Sequence, residues 1–371
     1  MQKTIRAVSW ASYVSGLVHL CFLVRRLVCR RYGIYILSYH HVVPDAGTSR
    51  HDVTTSQLDA HLAFVKKWFR IISLDEAVVL LAGAPLDHDY LVITFDDGYE
   101  DNYERALPLL RRHAVPATIF LIAGLIGSDA TPWYDACRVY FPLLSLVDLS
   151  GADSAVRPLM TKLVTVMTGR GVLERRLDRA LSVMKSAAPE ARAAILELLR
   201  QRHGRAEEHD EIRRFRLMRW DHVREMARHG VSFGCHTMTH PMLPALSVAQ
   251  IETEIRQSRA VIEQRLGTGC RTFAFPNGDF DDRSGDVLRA LGFRAACTQV
   301  FGANRPGADP FRLRRIGVGR ASRYLLAAKL SGLFAPIYAL RKWLGTLRRR
   351  AGSLPGFVSV PATDFPRSES R

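Results

Sequence analysis

The sequence predicts an α/β fold built on a parallel sheet, because short apolar runs alternate with amphipathic runs over most of its 371 residues. Three runs have the β-branched and aromatic content of buried strands, at 33–42, 91–98 and 116–124. Residues 56–69 are amphipathic, and residues 73–76 (SLDE) form a capping box ahead of another helix. From this alternation alone, the sheet is either doubly wound or closed into a barrel.

The second half of the chain continues the alternation after one long interruption. Further apolar runs lie at 231–237, 271–278 and 293–300, and a long amphipathic helix is predicted at 246–267. Residues 130–216 hold no convincing strand but several segments rich in Arg, Ala, Leu and Glu. We therefore expect a helical insertion there, which serves either as a substrate-selecting lid or as a simple packing element.

The net charge of +16 is concentrated at the two ends of the chain. Residues 1–44 carry six Lys or Arg and no acid, residues 311–362 carry eleven and no acid, and the central body is close to neutral. Nucleic acid or an anionic membrane could bind such charge. No base-reading motif accompanies it, so we expect no nucleic-acid partner. Apolar residues between the charges favour the membrane.

Both ends are predicted to form helices with apolar and basic content. Residues 7–24 contain no charged residue and reach the length of a membrane span, but three serines and His19 keep their apolarity modest. They form either a single N-terminal anchor or a helix that lies on the domain or in the membrane interface. Residues 330–350 fit an interfacial helix or a helix packed on the body, and the chain after Arg350 is expected to fray.

The six cysteines are scattered, without any C-x-x-C pair. In a chain of this length their spacing predicts neither a disulfide framework nor a zinc-thiolate site. We expect buried or free thiols, which favours a reducing compartment.

Two adjacent carboxylates end the apolar run at 91–98. Asp96 and Asp97 are followed by Gly98, whose backbone freedom permits the turn that lets both acids face one pocket. The carboxyl ends of parallel strands face the site in such folds. One Asp could simply cap the next helix, but two in succession are better explained by a site.

Two histidines follow the run at 231–237 in the same way. His236 and His240 are four residues apart, which would place them on one face of a helical turn, where they can share a metal. A carboxylate and two imidazoles leave coordination positions open, as in catalytic rather than structural zinc sites. A metal of this kind lowers the pKa of water and polarises a carbonyl. One Asp would then bind the metal and the other would act as general base.

Three ordered motifs, TFDDGY (94–99), H-T-x-x-H-P (236–241) and FAFPNG (273–278), together resemble the polysaccharide deacetylase (NodB homology) family, carbohydrate esterase family four. The resemblance covers roughly residues 34–125 and 217–320. It implies a distorted (β/α)₇ barrel, here with a helical insertion and basic amphipathic ends, and metal-dependent hydrolysis of N-acetylated sugars.

The resemblance assigns roles by position. Asp96 matches the general base, and Asp97, His236 and His240 match the metal ligands. Zinc is the expected metal, with Co²⁺, Mn²⁺ and Ni²⁺ as alternatives. SYHHV (38–42) resembles the YH-containing first strand of a subset that includes exopolysaccharide deacetylases. The residues expected to bind substrate are Tyr99, Pro276, Asn277 and Gly278.

The sequence departs from the family pattern at the arginine that orients the base. Many members carry it just before a Pro-Pro-Tyr-Gly motif, where this chain aligns Ala274. Arg271 is near in sequence but points elsewhere if residues 271–276 form a strand.

A second departure concerns the general acid. Many members carry a late Leu-x-His whose histidine protonates the leaving group, whereas the corresponding run here, 313–316 (LRRI), has no histidine. We expect His40, at the end of the first strand, to replace it. The alternatives are that His40 only hydrogen-bonds near the metal, or that His41 is the relevant residue.

The predicted organisation is an N-terminal helix (1–33), a deacetylase domain (34–320) with the insertion at about 130–216, and a basic helix with a disordered tail (321–371). The expected function is metal-dependent N-deacetylation of an N-acetylhexosamine-containing polysaccharide or lipid-linked glycan. O-deacetylation by the same site and a catalytically impaired glycan-binding or membrane-scaffold protein are the alternatives. We expect the cytoplasmic face of the membrane, with the extracytoplasmic side left open.

Overall fold

A computed structural model describes residues 2–29, 32–46, 52–83, 85–146 and 153–333. The strands are β1 (Ile34–Tyr39), β2 (Val42–Val43), β3 (Val53–Thr54), β4 (Arg70–Ile71), β5 (Tyr90–Phe95), β6 (Ala117–Leu121), β7 (Val231–Cys235), β8 (Thr272–Ala274), β9 (Ala295–Phe301) and β10 (Leu313–Gly317). The α-helices are α1 (Gln2–Val14), α2 (Leu17–Val24), α3 (Thr55–Trp68), α4 (Leu74–Ala82), α5 (Leu107–His113), α6 (Trp133–Tyr140), α7 (Arg157–Thr168), α8 (Leu173–Lys185), α9 (Pro189–His203), α10 (Trp220–Arg228), α11 (Val248–Leu266), α12 (Asp282–Ala290) and α13 (Arg323–Ser331).

Seven strands close into a parallel barrel. Their order around the barrel is β1-β10-β9-β8-β7-β6-β5, and β5 pairs with β1 to complete the ring. β4 pairs only with the first residues of β5. The ring is uneven, because β8 has three residues and the register between β9 and β10 shifts. The predicted distorted (β/α)₇ barrel is confirmed, and the doubly wound sheet is excluded.

The interior of the barrel changes from apolar to polar along the strands. Ile34 and Ile36 of β1 and Val92 of β5 belong to an apolar cluster that α4 completes with Leu74 and Leu81. Because side chains alternate along a strand, the next inward positions after Ile36 and Val92 are occupied by a serine and a threonine, and then by a histidine and an aspartate. The polar groups are therefore collected at the carboxyl ends of the strands.

The helices cover the outside of the barrel, and several begin at the caps that the sequence suggests. The SLDE box is confirmed, since Ser73 accepts from the backbone N–H of Glu76 while the Glu76 side chain accepts from the N–H of Ser73. α3 begins with a similar box between Thr54 and Gln57. Such reciprocal caps satisfy backbone groups that a helix start leaves free.

The described residues between β6 and β7 form helices and turns without a strand, and include α6 to α9. Buried leucines and methionines on α7 and α8 join the main apolar cluster. The segment predicted as an insertion thus packs as a continuous part of the core.

The N-terminal helices are fastened to the barrel. The guanidinium of Arg25 donates to Asp89 (2.7 Å), to the hydroxyl of Tyr35 (2.5 Å) and to the carbonyl of Leu330 (3.0 Å). No single helix in the described part of the chain is long and apolar enough to cross a membrane. The segments Thr4–Val14 and Leu17–Leu27 reach that length and composition together, but they are bent by 68°. Most of the predicted helix at 330–350, and the tail, lie outside the described residues.

The cysteines that the structure describes are free thiols, as predicted. Cys235 and Cys270 approach each other most closely, with their sulfur atoms 3.3 Å apart.

Candidate metal centre

The structure brings the three predicted ligands together at the carboxyl ends of two strands. Asp97 follows β5, and His236 and His240 follow β7. Asp97 Oδ1 lies 3.4 Å from Nε2 of His236 and 3.7 Å from Nε2 of His240. All three side chains are buried, and one ligand atom from each lies within 4.8 Å of the others. The spacing, the strand context and the family resemblance together pointed to this set.

The backbone at the centre has an unusual conformation. Of the five non-glycine residues with positive φ in the described chain, Asp97 (74°), Thr237 (68°) and His240 (57°) lie here. Each such residue costs roughly 1–3 kcal/mol, and such strain concentrates at functional sites. The prediction that the two histidines share a helical turn is wrong, because residues 236–240 form a loop in which two left-handed residues turn both imidazoles toward Asp97.

The loop that carries the histidines is held by α11. Glu254 accepts hydrogen bonds from the backbone N–H groups of Met238 (2.8 Å) and Thr239 (3.1 Å) and from the Thr239 hydroxyl (2.8 Å). On the other side, the backbone of Gly124 approaches so closely that a Cβ atom there would lie 2.6 Å from the Met238 carbonyl oxygen. The loop is thus fixed from both sides.

The donor set fits a divalent metal. Asp97 Oδ1 is buried and has no hydrogen-bond partner, although it faces two imidazole nitrogens. His236 Nδ1 donates to the carbonyl of Ala274 (2.7 Å), which leaves its Nε2 free to bind a metal. Burial lowers the pKa of His240 to about 3, so its imidazole is neutral, as a metal ligand must be.

Asp96, the predicted base, is held by an arginine that the sequence did not reveal. The fully buried guanidinium of Arg315 donates from Nη1 to Asp96 Oδ1 (2.7 Å) and from Nη2 to Oδ2 (2.8 Å). Its Nε donates to the carbonyl of Thr298 (2.9 Å). This two-pronged pair fixes the plane of the carboxylate.

The remaining neighbours of Asp96 are polar as well. Ser38 Oγ lies 3.4 Å and Gln299 Nε2 lies 3.3 Å from Asp96 Oδ2. Burial alone would raise the pKa of Asp96, but the charge of Arg315 and the neighbouring histidines outweigh it, so the pKa lies below its usual range. Asp96 is therefore an ionised carboxylate beside the candidate metal ligands.

The finding corrects the expectation that the arginine is missing. Only Ala274 and Arg271 were considered at the family position of the arginine that orients the base. The arginine instead comes from β10, within the run at 313–316 where the family has a histidine. The alternation of side chains along β10 is the signal that could have indicated Arg315. It turns Leu313 and Arg315 into the barrel and leaves Arg314 exposed.

His40 and His41 point to different surroundings. His40 Nε2 lies 3.7 Å from Asp96 Oδ2, and 40% of its side chain is exposed. Partial burial lowers the pKa of His40, although the negative charges of Asp96 and Asp97 act in the opposite direction. His41 is buried and pairs through Nδ1 with Asp101 (2.8 Å). Of the two histidines, only His40 therefore lies beside the predicted base with an accessible ring.

The predicted substrate loop lies next to Gln299, which is a neighbour of Asp96. Pro276 is buried, Asn277 has a left-handed backbone (φ 57°), and a Cβ on Gly278 would lie 2.5 Å from Gln299 Cβ. The glycine thus lets the loop approach β9. Tyr99, by contrast, is buried, so it could contact substrate directly only if the residues that cover it moved.

The insertion contributes a wall that the sequence did not reveal. Trp133 of α6 donates from Nε1 to the carbonyl of His240 (3.0 Å). The ring of Tyr134 lies 4.7 Å from the His240 imidazole, and the Tyr99 hydroxyl donates to Asp135 (2.8 Å). The first helix of the insertion therefore borders the metal centre.

The model of the family described as polysaccharide deacetylase matches residues 83–296, more than half of the chain. The chain belongs to the polysaccharide deacetylase family. Hydrolytic deacetylation of a polysaccharide is the activity that this membership supports. Arg315 lies beyond the matched residues of this deacetylase.

Individual relatives agree with the family assignment. The deacetylase is 21% identical over 285 residues to YxkH of Bacillus subtilis (strain 168), a protein classed with the polysaccharide deacetylases, with 76% of this chain and 70% of YxkH covered. Among solved structures it resembles IcaB from Ammonifex degensii, with a TM-score of 0.54 and 21% identity over 81% of this chain and 98% of IcaB. It also resembles the Streptococcus pyogenes deacetylase PplD, solved with acetate, with a TM-score of 0.51 and 18% identity over 80% and 97% of the two chains. At these identities the structural likeness establishes the fold.

Proposed function

We propose that this family member is a divalent-metal-dependent hydrolase that removes N-acetyl groups from an N-acetylhexosamine-containing polysaccharide or lipid-linked glycan. The observation that carries the proposal is the position of Asp96, which lies next to the candidate ligands Asp97, His236 and His240 but is held by Arg315. When bound, a metal such as Zn²⁺, or alternatively Co²⁺, Mn²⁺ or Ni²⁺, would acidify water and polarise the amide carbonyl.

Asp96 supplies the base in this proposal. Its carboxylate is ionised and buried, so it can accept the proton of an attacking water without reorganising. Arg315 and Gln299 keep the carboxylate in one orientation. A fixed orientation lowers the barrier of a reaction in which the reacting atoms must meet at about 3 Å.

His40 supplies the acid. Its ring lies beside Asp96 and is reachable from solvent, so Nε2 can take up a proton from solvent and donate it to the leaving nitrogen. The alternative acid, His41, is committed to Asp101 beneath the site. Burial lowers the pKa of His41, but the charges of Asp101 and its neighbours outweigh this and raise it to about 9.

The substrate groove of the proposal runs between the loop at 276–278 and the first helix of the insertion. Asn277 of the loop and Tyr134 of the helix are its proposed lining, since the loop approaches Gln299 beside Asp96 and the Tyr134 ring lies 4.7 Å from the His240 imidazole. An aromatic ring beside a polar amide suits a sugar, which presents both apolar C–H faces and hydroxyl groups.

Acetate release from N-acetylated and O-acetylated chitooligosaccharides tests the proposal. The zinc-loaded full chain should release acetate from the amide, and Asp96→Asn should lower this rate by at least about 100-fold because the proton acceptor is lost. Metal content should be unchanged in Asp96→Asn, since its ligands are intact, and this also shows that the variant folds. Asp221→Asn, at an exposed carboxylate of α10, is the control.

Two results would contradict the proposal. If the metal-loaded wild type releases no acetate from any acetylated oligosaccharide, the chain is not a deacetylase of such glycans. If only the O-acetylated substrate reacts, the protein is an esterase on the same site.

A further inference from the structure

The first two helices and the turn after them expose an unusually large number of large apolar side chains. Of the twelve large apolar residues that are exposed in the described part of the chain, eight lie in α1, α2 and the turn after them, although this part is less than a tenth of the protein. Trp10 is 54% and Leu27 is 67% exposed. We call these eight residues the N-terminal patch: Val8, Trp10, Val14, Leu17, Leu20, Leu23, Val24 and Leu27.

α1 exposes large apolar side chains that a helix facing water would ordinarily bury. Ser9 and Ser12 are buried against the body, whereas Trp10 and Val14 point outward. A helix at a protein surface ordinarily buries its apolar stripe and exposes its polar one. The outward face of α1 is therefore suited to an apolar surrounding.

α1 and α2 already pack on the body of the protein, so their exposed apolar residues are not the faces that hold them there. α2 already buries Val18 and Phe22, and the Phe22 ring stacks on Trp68 at 5.0 Å. α1 places Tyr13 against Tyr324 of α13 at 4.9 Å. Each helix thus has one face packed on the body and a second, apolar face left outside.

Basic side chains predominate around the patch, although one of them, Arg25, is paired with Asp89. Residues 1–44 contain six Lys or Arg and no Asp or Glu, and α13, on which α1 packs, carries Arg323 and Lys329 without an acid. Cationic side chains next to a membrane gain roughly 1 kcal/mol each from anionic headgroups. Another protein surface would have to be both apolar and acidic to match as well.

The geometry favours a position along the membrane surface. α1 and α2 have 13 and 8 residues, so they are about 20 and 12 Å long. The hydrocarbon core is roughly 30 Å thick, and the two helices are bent by 68°. Apolar residues with basic neighbours on short helices are the features of an interfacial element.

We infer that the N-terminal patch binds the surface of an anionic phospholipid bilayer, with its apolar side chains inserted at the headgroup level and the neighbouring exposed side chains of Arg6 and Arg26 on the lipid phosphates. Arg25 fastens α2 to Tyr35 and Asp89, at the amino ends of β1 and β5. The metal ligands lie at the opposite, carboxyl ends of the strands. Binding through the patch therefore leaves the site open, and membrane attachment and catalysis are separable.

Co-sedimentation of the full chain with vesicles tests the inference. Wild type should bind vesicles of phosphatidylglycerol and phosphatidylcholine, and bind pure phosphatidylcholine more weakly. The triple variant Trp10→Ser/Leu20→Ser/Leu27→Ser should lose at least about tenfold in affinity for the anionic vesicles, because three side chains no longer enter the bilayer. The matched control, Val79→Ser/Val172→Ser/Val248→Ser, changes equally exposed apolar residues elsewhere and should bind as wild type does.

Both variants should release acetate from a soluble oligosaccharide at the wild-type rate, which verifies that they fold. The inference is overturned if wild type stays in the supernatant with anionic vesicles. It is equally overturned if the patch variant binds as tightly as wild type, because another basic segment would then bind the lipid. A wild-type dimer that ignores vesicles and that the patch variant makes monomeric would assign the patch to a second copy of the chain.

Discussion

Asp97→Asn is expected to abolish metal binding and, with it, acetate release. The substitution keeps the size of the side chain, and asparagine tolerates the left-handed backbone that Asp97 adopts (φ 74°). What is lost is the negative charge on a buried atom that faces His236 and His240. Loss of an outer partner of a ligand costs roughly 10–100-fold in metal affinity, so loss of a ligand should cost more than about 100-fold.

Metal content after dialysis and the rate of acetate release measure this effect together. Asp221→Asn, which changes an exposed carboxylate on α10, should match wild type in both. A protein with Asp97→Asn that retains one equivalent of metal and deacetylates at the wild-type rate would show that the metal is bound elsewhere.

Arg315→Met should be strongly destabilising and should also impair catalysis. It leaves the buried carboxylate of Asp96 without its charged partner, which costs about 3–5 kcal/mol in the free energy of unfolding. The stability of Arg315→Lys should lie between those of wild type and Arg315→Met, because an ammonium keeps the charge but not the two-pronged geometry. Arg314→Met changes the neighbouring exposed arginine and should alter the stability by no more than about 0.5 kcal/mol.

A double-mutant cycle separates the pair from a general loss of packing. The free energies of unfolding of Asp96→Asn, Arg315→Met and the double variant are compared by urea denaturation. The double variant should be more stable than the sum of the single effects predicts, by about 0.5–3 kcal/mol, because it buries no unpaired charge. Additive effects would mean that Arg315 supports the barrel without holding Asp96.

The fold could be predicted because its signals are local. Alternation of apolar and amphipathic runs follows directly from strands buried beneath helices. β1, β6 and β7 lie within the predicted runs, and β5 begins one residue before its run. Closure of the sheet could not be read from the same pattern. It depends on the pairing of β1 with β5 and β10, which are far apart in sequence and carry no mark of their partners.

The site divides in the same way. Asp96, Asp97, His236 and His240 were found because each pair is close in sequence, follows a strand and lies in a motif that resembles the family. Arg315 was missed because its contact with Asp96 spans the barrel and joins residues 219 positions apart.

The wall formed by Trp133 and Tyr134 was missed for a related reason. The composition of the insertion predicts helices, but the face that meets the His240 loop is set by tertiary packing.

Titration of the metal-stripped wild type with zinc is the most direct test of the central claim. Acetate release from an N-acetylated oligosaccharide should be absent after chelation and should rise with added metal until one equivalent is bound. Acetate released at the full rate by the metal-free protein, or a rate that keeps rising well beyond one equivalent, would contradict a single catalytic metal held by Asp97, His236 and His240.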